Sequence, residues 1–238
     1  MSLLGFIKGF LGEFQGRLAG KYFLDNSVYH SVDNVTLPSK SGTTQIDHVI
    51  VSRYGVFVVE AKNYSGWIFG SERDAQWTQS LFGKKSRFQN PLRQNYRHIA
   101  SLAEFLGLPE DRFHSVVMFW GECEIKTKLP SNVLTEGYTS FIKSKTALLF
   151  SEAEVGHIVD AVQRGRLPAT WKTHREHVAS LRERHGSNVC PKCGSELVER
   201  VAKTGGNAGK SFLGCSGFPK CRYTRQTGEQ RLNSSPAA

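Results

Sequence analysis

Short apolar strands alternating with stretches of helical periodicity predict an α/β (α+β) chain. Four of its five cysteines fall in the last fifth of the 238 residues as two close pairs, Cys190/Cys193 and Cys215/Cys221, predicting a second, metal-stapled module. Two carboxylates and a lysine on an otherwise apolar hairpin mark where the chemistry lies. The length suits one domain of about 150–180 residues followed by a small module.

Leu3, Leu4, Ile7, Phe10, Leu11 and Phe14 recur at helical spacing, and a first helix is expected over 8–24, weakened by Gly16 and Gly20. Lys8 and Glu13 interrupt this apolar start, which lacks the basic region and small-residue cleavage site of a signal peptide. No apolar run approaches the roughly 18 residues of a spanning helix, so a cytoplasmic chain is expected. A strand over 28–37 should end at Pro38. A hairpin follows, Gln45 to Val51 and Val56 to Lys62, turning at Ser52-Arg53-Tyr54-Gly55 with Gly55 able to take positive φ. Short strands are expected near 66–70 and 76–81. Asn90-Pro91 opens a helix to about Leu106, since proline in the first turn gives up no hydrogen bond. Residues 113–120 read as an apolar strand, and 131–150 as a short strand with a helical turn. Ser151 and Glu154 form a capping box that starts a helix to about Arg164. A basic, polar helix over 170–185 links the two modules, and the tail reads as disordered.

A regular hairpin around that turn pairs residues whose numbers sum to 107, setting Asp47 opposite Glu60 and Gln45 opposite Lys62. Like charges directly opposed are unfavourable. A divalent cation between the carboxylates removes the conflict, because hard cations take oxygen ligands. Lys62 lies two residues beyond Glu60 and shares its face. An ammonium there positions a water or stabilises charge growing on a phosphate.

Asp47 followed by Glu60-Ala61-Lys62 is the D…(D/E)-x-K arrangement of the PD-(D/E)xK nuclease superfamily, although Ile46 stands where that motif has proline. KGFLGE at 8–13, GTTQIDH at 42–48, GVFVVEAKNYSG at 55–66 and NPLRQ at 90–94 together resemble the nuclease-related domain over roughly 5–125. The resemblance implies a restriction-endonuclease-like fold, a mixed sheet flanked by helices, and metal-dependent cleavage of DNA. It implies Asp47 and Glu60 as ligands of Mg²⁺ or Mn²⁺, with the carbonyl of Ala61 assisting. Lys62 would be the catalytic lysine, Glu13 the first-helix acid and Gln94 the helical glutamine. The chain then divides into a core at 1–125, a helical extension and linker at 126–187, a ribbon at 188–228 and a tail at 229–238.

The two cysteine pairs, about twenty residues apart, fit a closed four-thiolate zinc site. So small a module lacks a sufficient apolar core, and its metal supplies most of its folding free energy. Two disulfides are the alternative, disfavoured because the rest of the chain carries one lone cysteine, Cys123, between acids. CPKCG at 190–194 and GKSFLGCSGFPKCRY at 209–223 resemble the C-terminal zinc ribbons of bacterial type IA DNA topoisomerases. That implies binding of single-stranded DNA. Arg200, Lys203, Lys210, Lys220, Arg222 and Arg225 offer phosphate contacts, and Phe212, Phe218 and Tyr223 offer stacking faces. Packing of Phe212 and Phe218 on the ribbon itself is the plainer alternative, and a protein partner at the ribbon is another.

The formal net charge is +10, of which +7 falls in Thr170–Ala238 (twelve Lys/Arg against five Asp/Glu), leaving +3 for the first 169 residues. Such a basic end suits a polyanion. His48, following Asp47, points to the opposite face and is expected to be hydrogen-bonded. His174 and His177, three apart on the linking helix, read as solvated. Neither a phosphate-cradling GxxxxGK[ST] nor a GxSxG elbow occurs, which argues against ATP-driven work and a serine nucleophile. The expected activity is a metal-dependent deoxyribonuclease. A ribonuclease and a non-catalytic nucleic-acid-binding or interaction module are the rivals.

Overall fold

A computed structural model describes residues 24–39, 42–168, 190, 196–202, 204, 206–219 and 221–226. The expected first helix with Glu13, the linking helix, Cys193, Lys203, Lys220 and the tail lie outside these residues.

Five strands form the main sheet in the order β1-β2-β3-β7-β9. They are β1 (His30–Ser39), β2 (Gly42–Ser52), β3 (Gly55–Lys62), β7 (Phe113–Phe119) and β9 (Val133–Leu134). β1–β3 are antiparallel, whereas β7 pairs parallel to β3 and β9 parallel to β7. The sheet is mixed, as the family resemblance implies. β1 runs through Pro38 instead of stopping there, pairing it with Thr43. Proline lacks a ladder donor but is tolerated on an edge strand, and β1 is one.

Alternation along β2 and β3 sends side chains to two cores. Val49, Val51, Val56 and Val58 face Ile99 and Leu102 of helix α1 (Pro91–Leu106) and Val155, Ile158 and Val162 of helix α3 (Glu152–Gly165). Ile50, Phe57 and Val59 face the other way, onto Tyr138 and Ile142 of helix α2 (Tyr138–Lys143). Thus α2 and α3, expected as an extension, help build the same two cores as the strands. The capping box holds: Ser151 Oγ accepts from the Glu154 amide, and Glu154 reaches back to the Ser151 amide.

A second sheet has the order β6-β5-β4-β8: β4 (Gly66–Phe69), β5 (Gln76–Leu81), β6 (Lys84–Gln89) and β8 (Cys123–Ile125). β6 and β8 were not expected. Ile68 and Trp77 pack this sheet onto Val117 and Phe119 of β7, with Trp77 stacked on Phe119 at 6.2 Å. The two sheets are joined in series. β3 runs on into β4 while β7 runs on into β8, and both pairings are parallel. Between them the Trp120 amide donates to the Lys62 carbonyl and the Gly66 amide to the Glu122 carbonyl. A Cβ at Gly121 would lie 1.8 Å from the Tyr64 carbonyl oxygen, so only glycine fits this crossing.

The ribbon comprises β10 (Leu197–Val201), β11 (Ser211–Cys215) and β12 (Thr224–Gln226), all antiparallel, around a core of Cys190, Leu197, Cys215 and Cys221.

Candidate functional site

The β2–β3 ladder keeps the predicted register from Ser52↔Gly55 to His48↔Val59, where its pairs end. Gly55 takes φ +128 at the turn. One step further stand Asp47 and Glu60. Here the ladder opens: the Ala61 amide donates to Asp47 Oδ2 at 2.8 Å, a side chain standing in for a strand carbonyl.

Glu60 is 2 % exposed, far from the solvated hairpin end its charge suggests. Both of its oxygens are engaged. Lys62 Nζ donates to Oε1 at 2.5 Å, and His98 Nε2 meets Oε2 at 3.1 Å. Lys62 Nζ also donates to Gln94 Oε1 at 3.0 Å. An ionised carboxylate only accepts, so His98 Nε2 carries the proton of that bond. Nδ1 of His98 lies 2.7 Å from Thr44 Oγ1. Thr44, His98, Glu60, Lys62 and Gln94 therefore form one continuous chain of hydrogen bonds. Buried polar groups are kept only when paired in this way.

These elements converge for local reasons. Glu60 and Lys62 share the face of β3 that looks toward α1. Asn90 caps α1, its Oδ1 accepting from the Leu92 amide at 2.9 Å. Its Nδ2 donates to the carbonyls of Ser71 (3.0 Å) and Asp74 (2.8 Å), which fixes where the helix starts. Gln94 and His98 lie one turn apart and so share the face of α1 that meets β3. Asn95 ties α1 to the sheet through the carbonyls of Val58 (2.8 Å) and Val116 (3.1 Å).

The electrostatics divide the two acids. Burial raises the Asp47 carboxyl most, the Glu60 charge next, and together they push it up to about 7 despite the Ala61 amide and Lys62. Burial also works against ionisation of Glu60, but Lys62 and His98 overcome it and hold its carboxyl at about 2. Burial opposes the Lys62 charge too, yet the Glu60 carboxylate raises its ammonium above the ordinary lysine range.

Sequence reasoning singled out Asp47, Glu60, Ala61, Lys62 and Gln94, and the structure brings these together. It missed His98 and Thr44. The four-residue step from Gln94 to His98 was the available signal. His48 does face the other way, 4 % exposed, with Nδ1 at 2.7 Å from Asp33 Oδ1.

The donor set of Asp47, Glu60 and the Ala61 carbonyl consists of hard oxygens, which suits Mg²⁺ or Mn²⁺. Burial and the neighbouring Glu60 charge both disfavour an ionised Asp47, and a bound cation would offset both. No third acid joins them among the described residues.

In the ribbon the sulfurs of Cys190, Cys215 and Cys221 all lie within 4.8 Å of one another, Cys190 and Cys221 at 3.7 Å. Four thiolates at about 2.3 Å around a tetrahedral zinc stand about 3.8 Å apart. The thiols are unbridged, and the Gly217 amide donates to Cys215 Sγ at 3.3 Å. Among the aromatic candidates, Tyr223 packs on the cysteine core. Phe218 is 56 % exposed with the Arg200 guanidinium 5.8 Å from its ring centre. Phe212 lines a shallow cavity of about 340 Å³ with Lys210 and Arg225, and Arg222 is exposed.

Two family models match the chain: the nuclease-related domain over residues 8–120, and the topoisomerase DNA-binding C4 zinc finger over 187–230. An uncharacterised protein of Bacillus anthracis is 40 % identical over 150 residues, covering 60 % of this chain and 70 % of that protein. DNA topoisomerase 1 of Methanothermobacter thermautotrophicus is 51 % identical over 35 residues, 15 % of this chain and 4 % of the topoisomerase. An uncharacterised protein of Escherichia coli is 56 % identical over 36 residues, 15 % of this chain and 17 % of that protein. No solved structure matches. No described helix is long and apolar enough to cross a membrane. The chain thus belongs to the nuclease-related domain family and carries, after that domain, a topoisomerase-type C4 zinc ribbon.

Proposed function

We propose that the chain is a metal-dependent nuclease that hydrolyses DNA phosphodiester bonds, with its zinc ribbon holding single-stranded DNA beside the site. The observation that carries this reading is Glu60: a buried acid, locked between Lys62 and His98, next to a second acid, Asp47, whose carboxyl burial and the Glu60 charge together raise to about 7. A buried arrangement of this kind costs stability, and such costs gather at functional sites.

Asp47, Glu60 and the Ala61 carbonyl would hold Mg²⁺ or Mn²⁺, which supplies Lewis-acid stabilisation of the phosphate and a water of lowered pKa. Lys62 stays protonated, so it serves as a fixed cation and not as a base. Glu60 and Gln94 aim its ammonium at the position of the attacking water and of the charge growing on the phosphoryl oxygens. Hydrolysis forms one P–O bond to water and breaks one to the leaving sugar oxygen. Glu13 would add a further acid. The four-thiolate ribbon, structural and not catalytic, belongs to a reducing compartment, which supports a cytoplasmic location.

The test is incubation of zinc-loaded protein with single- and double-stranded DNA and RNA, with and without Mg²⁺ or Mn²⁺. DNA cleavage that requires the ion and is lost in folded Asp47→Ala and Glu60→Gln proteins is the expected result. Cleavage of RNA alone would make the chain a ribonuclease. Binding without any cleavage would make it a nucleic-acid-binding module on a nuclease fold.

A further inference from the structure

The β5–β6 hairpin stands out by its charge, its tip and its attachment. Between Asp74 and Glu104 lie 29 residues with five Lys/Arg (Lys84, Lys85, Arg87, Arg93, Arg97) and no carboxylate. That local excess sits in a stretch of 169 residues carrying only +3 overall. Lys84, Lys85 and Arg87 are exposed on β6 and make no ion pair among the described residues.

At the tip, Phe82 and Gly83 form the two-residue turn with φ 48 and φ 77. Positive φ at both central positions favours Asn, Asp or Gly, and an aromatic there is disfavoured. Phe82 is nonetheless 96 % exposed, so its ring gains no packing in return. A disfavoured backbone holding an aromatic ring in solvent beside two lysines calls for a ligand with a flat face and negative charge. The outer face of the same sheet continues this chemistry. Trp67, 52 % exposed, is paired across to Ser80 and then Lys85, and Lys126 Nζ lies 4.9 Å from its ring centre. Glu124, the acid of that row, is neutralised by Lys126 at 2.5 Å.

The foot of the hairpin is fixed to the acid–lysine site. Phe88 of β6 stacks on Tyr64 at 4.4 Å, and Tyr64 lies two residues after Lys62. β6 then leads through Asn90 into α1 and Gln94. Six residues of strand reach about 20 Å from foot to tip, or roughly six base steps of a stacked nucleic acid.

We propose that the β5–β6 hairpin is an arm gripping the nucleic-acid strand that leaves the Glu60–Lys62 site, with Phe82 stacked on a base and Lys84, Lys85 and Arg87 on phosphates. The choice of strand rests on the nuclease reading above; the grip itself is measured without cleavage. The full-length, zinc-loaded chain is titrated against a labelled single strand and its duplex, both long enough to span arm and site, without Mg²⁺ or Mn²⁺ and over a range of salt. The Lys84→Ala/Lys85→Ala/Arg87→Ala protein should flatten the slope of log affinity against log salt by about 2 to 3, since each phosphate contact contributes about 0.7–0.9. Phe82→Asn should lower affinity about 5- to 160-fold, the range for one stacked base, with the salt slope unchanged. The same substitution should hold or raise the melting temperature, because asparagine accepts positive φ. Higher stability with weaker binding is a combination that a purely structural phenylalanine does not give. Parental affinity and slope in the triple variant, or parental affinity in Phe82→Asn, would overturn the proposal. The ribbon is common to every protein compared, and a chain that binds but never cuts leaves this arm standing while removing the nuclease reading.

Discussion

Asp47 and Glu60 respond to pH in opposite directions, and both responses are measurable. The Asp47 carboxyl is raised from 3.8 to about 7, so the folded chain holds a proton that the unfolded chain releases. Stability therefore falls as pH rises from about 4 to about 7. The Glu60 carboxyl is lowered from 4.5 to about 2, so its contribution is full above about 4.5 and is lost as pH falls toward 2. Zinc-loaded protein free of Mg²⁺ and Mn²⁺ should be less stable to urea at pH 8 than at pH 5, and Asp47→Asn should abolish most of that difference. An ion at the site must displace the Asp47 proton, so Mn²⁺ affinity measured by calorimetry should rise with pH through about 7. His98 gives a second test at this scale. It holds Glu60 through Oε2, and partners of that kind typically contribute 10- to 100-fold in metal affinity. His98→Ala should weaken Mn²⁺ by about that factor and leave zinc in the ribbon untouched. Asp47, Glu60 and Lys62 were legible in the sequence because they share one hairpin, where a period of two and a turn fix the geometry. His98 and Thr44 were not, because they meet Glu60 from α1 and from further along β2, and no local pattern joins them.

Elements repeat that contrast. α1 was legible because Asn90-Pro91 is a cap whose chemistry is local. The same Asn90 also carries tertiary information: it is fully buried and its Nδ2 faces three carbonyls of the 71–74 loop, those of Ser71, Glu72 and Asp74. Asn90→Ala should destabilise the domain by roughly 2–4 kcal/mol, about 1 from the cap and the rest from carbonyls left unpaired. The loss appears as a lower melting temperature. Cleavage should fall too, since α1 carries Gln94 and His98. β6 escaped sequence reading because Lys84-Lys85-Ser86-Arg87 shows no apolar alternation and the turn is Phe82-Gly83 in place of Asn-Gly. β8 escaped because three residues form a strand only where β4 offers them a parallel edge. β1 outran its proline for the same reason: an edge position, invisible in sequence, decides whether Pro38 is tolerated.

At the scale of the whole molecule the nuclease-related domain and the ribbon match separate stretches, 8–120 and 187–230, and truncation tests whether they act separately. Truncation after about Leu181 should leave a domain that still cleaves at low salt, because the described site lies within residues 44–98. Affinity for single strands should drop and the salt slope should flatten, as fewer counterions are released. Stripping zinc from the full chain should reproduce both effects, because the ribbon loses its fold with its metal. The serial joining of the two sheets bears on the timing of synthesis. β3 carries Glu60 and Lys62, yet its parallel partner β7 begins 57 positions after Val56, at Phe113. Contacts so distant in sequence form late. A nascent chain thus carries both acids and the lysine on an unfinished sheet until residue 119 has emerged and β7 has paired along β3.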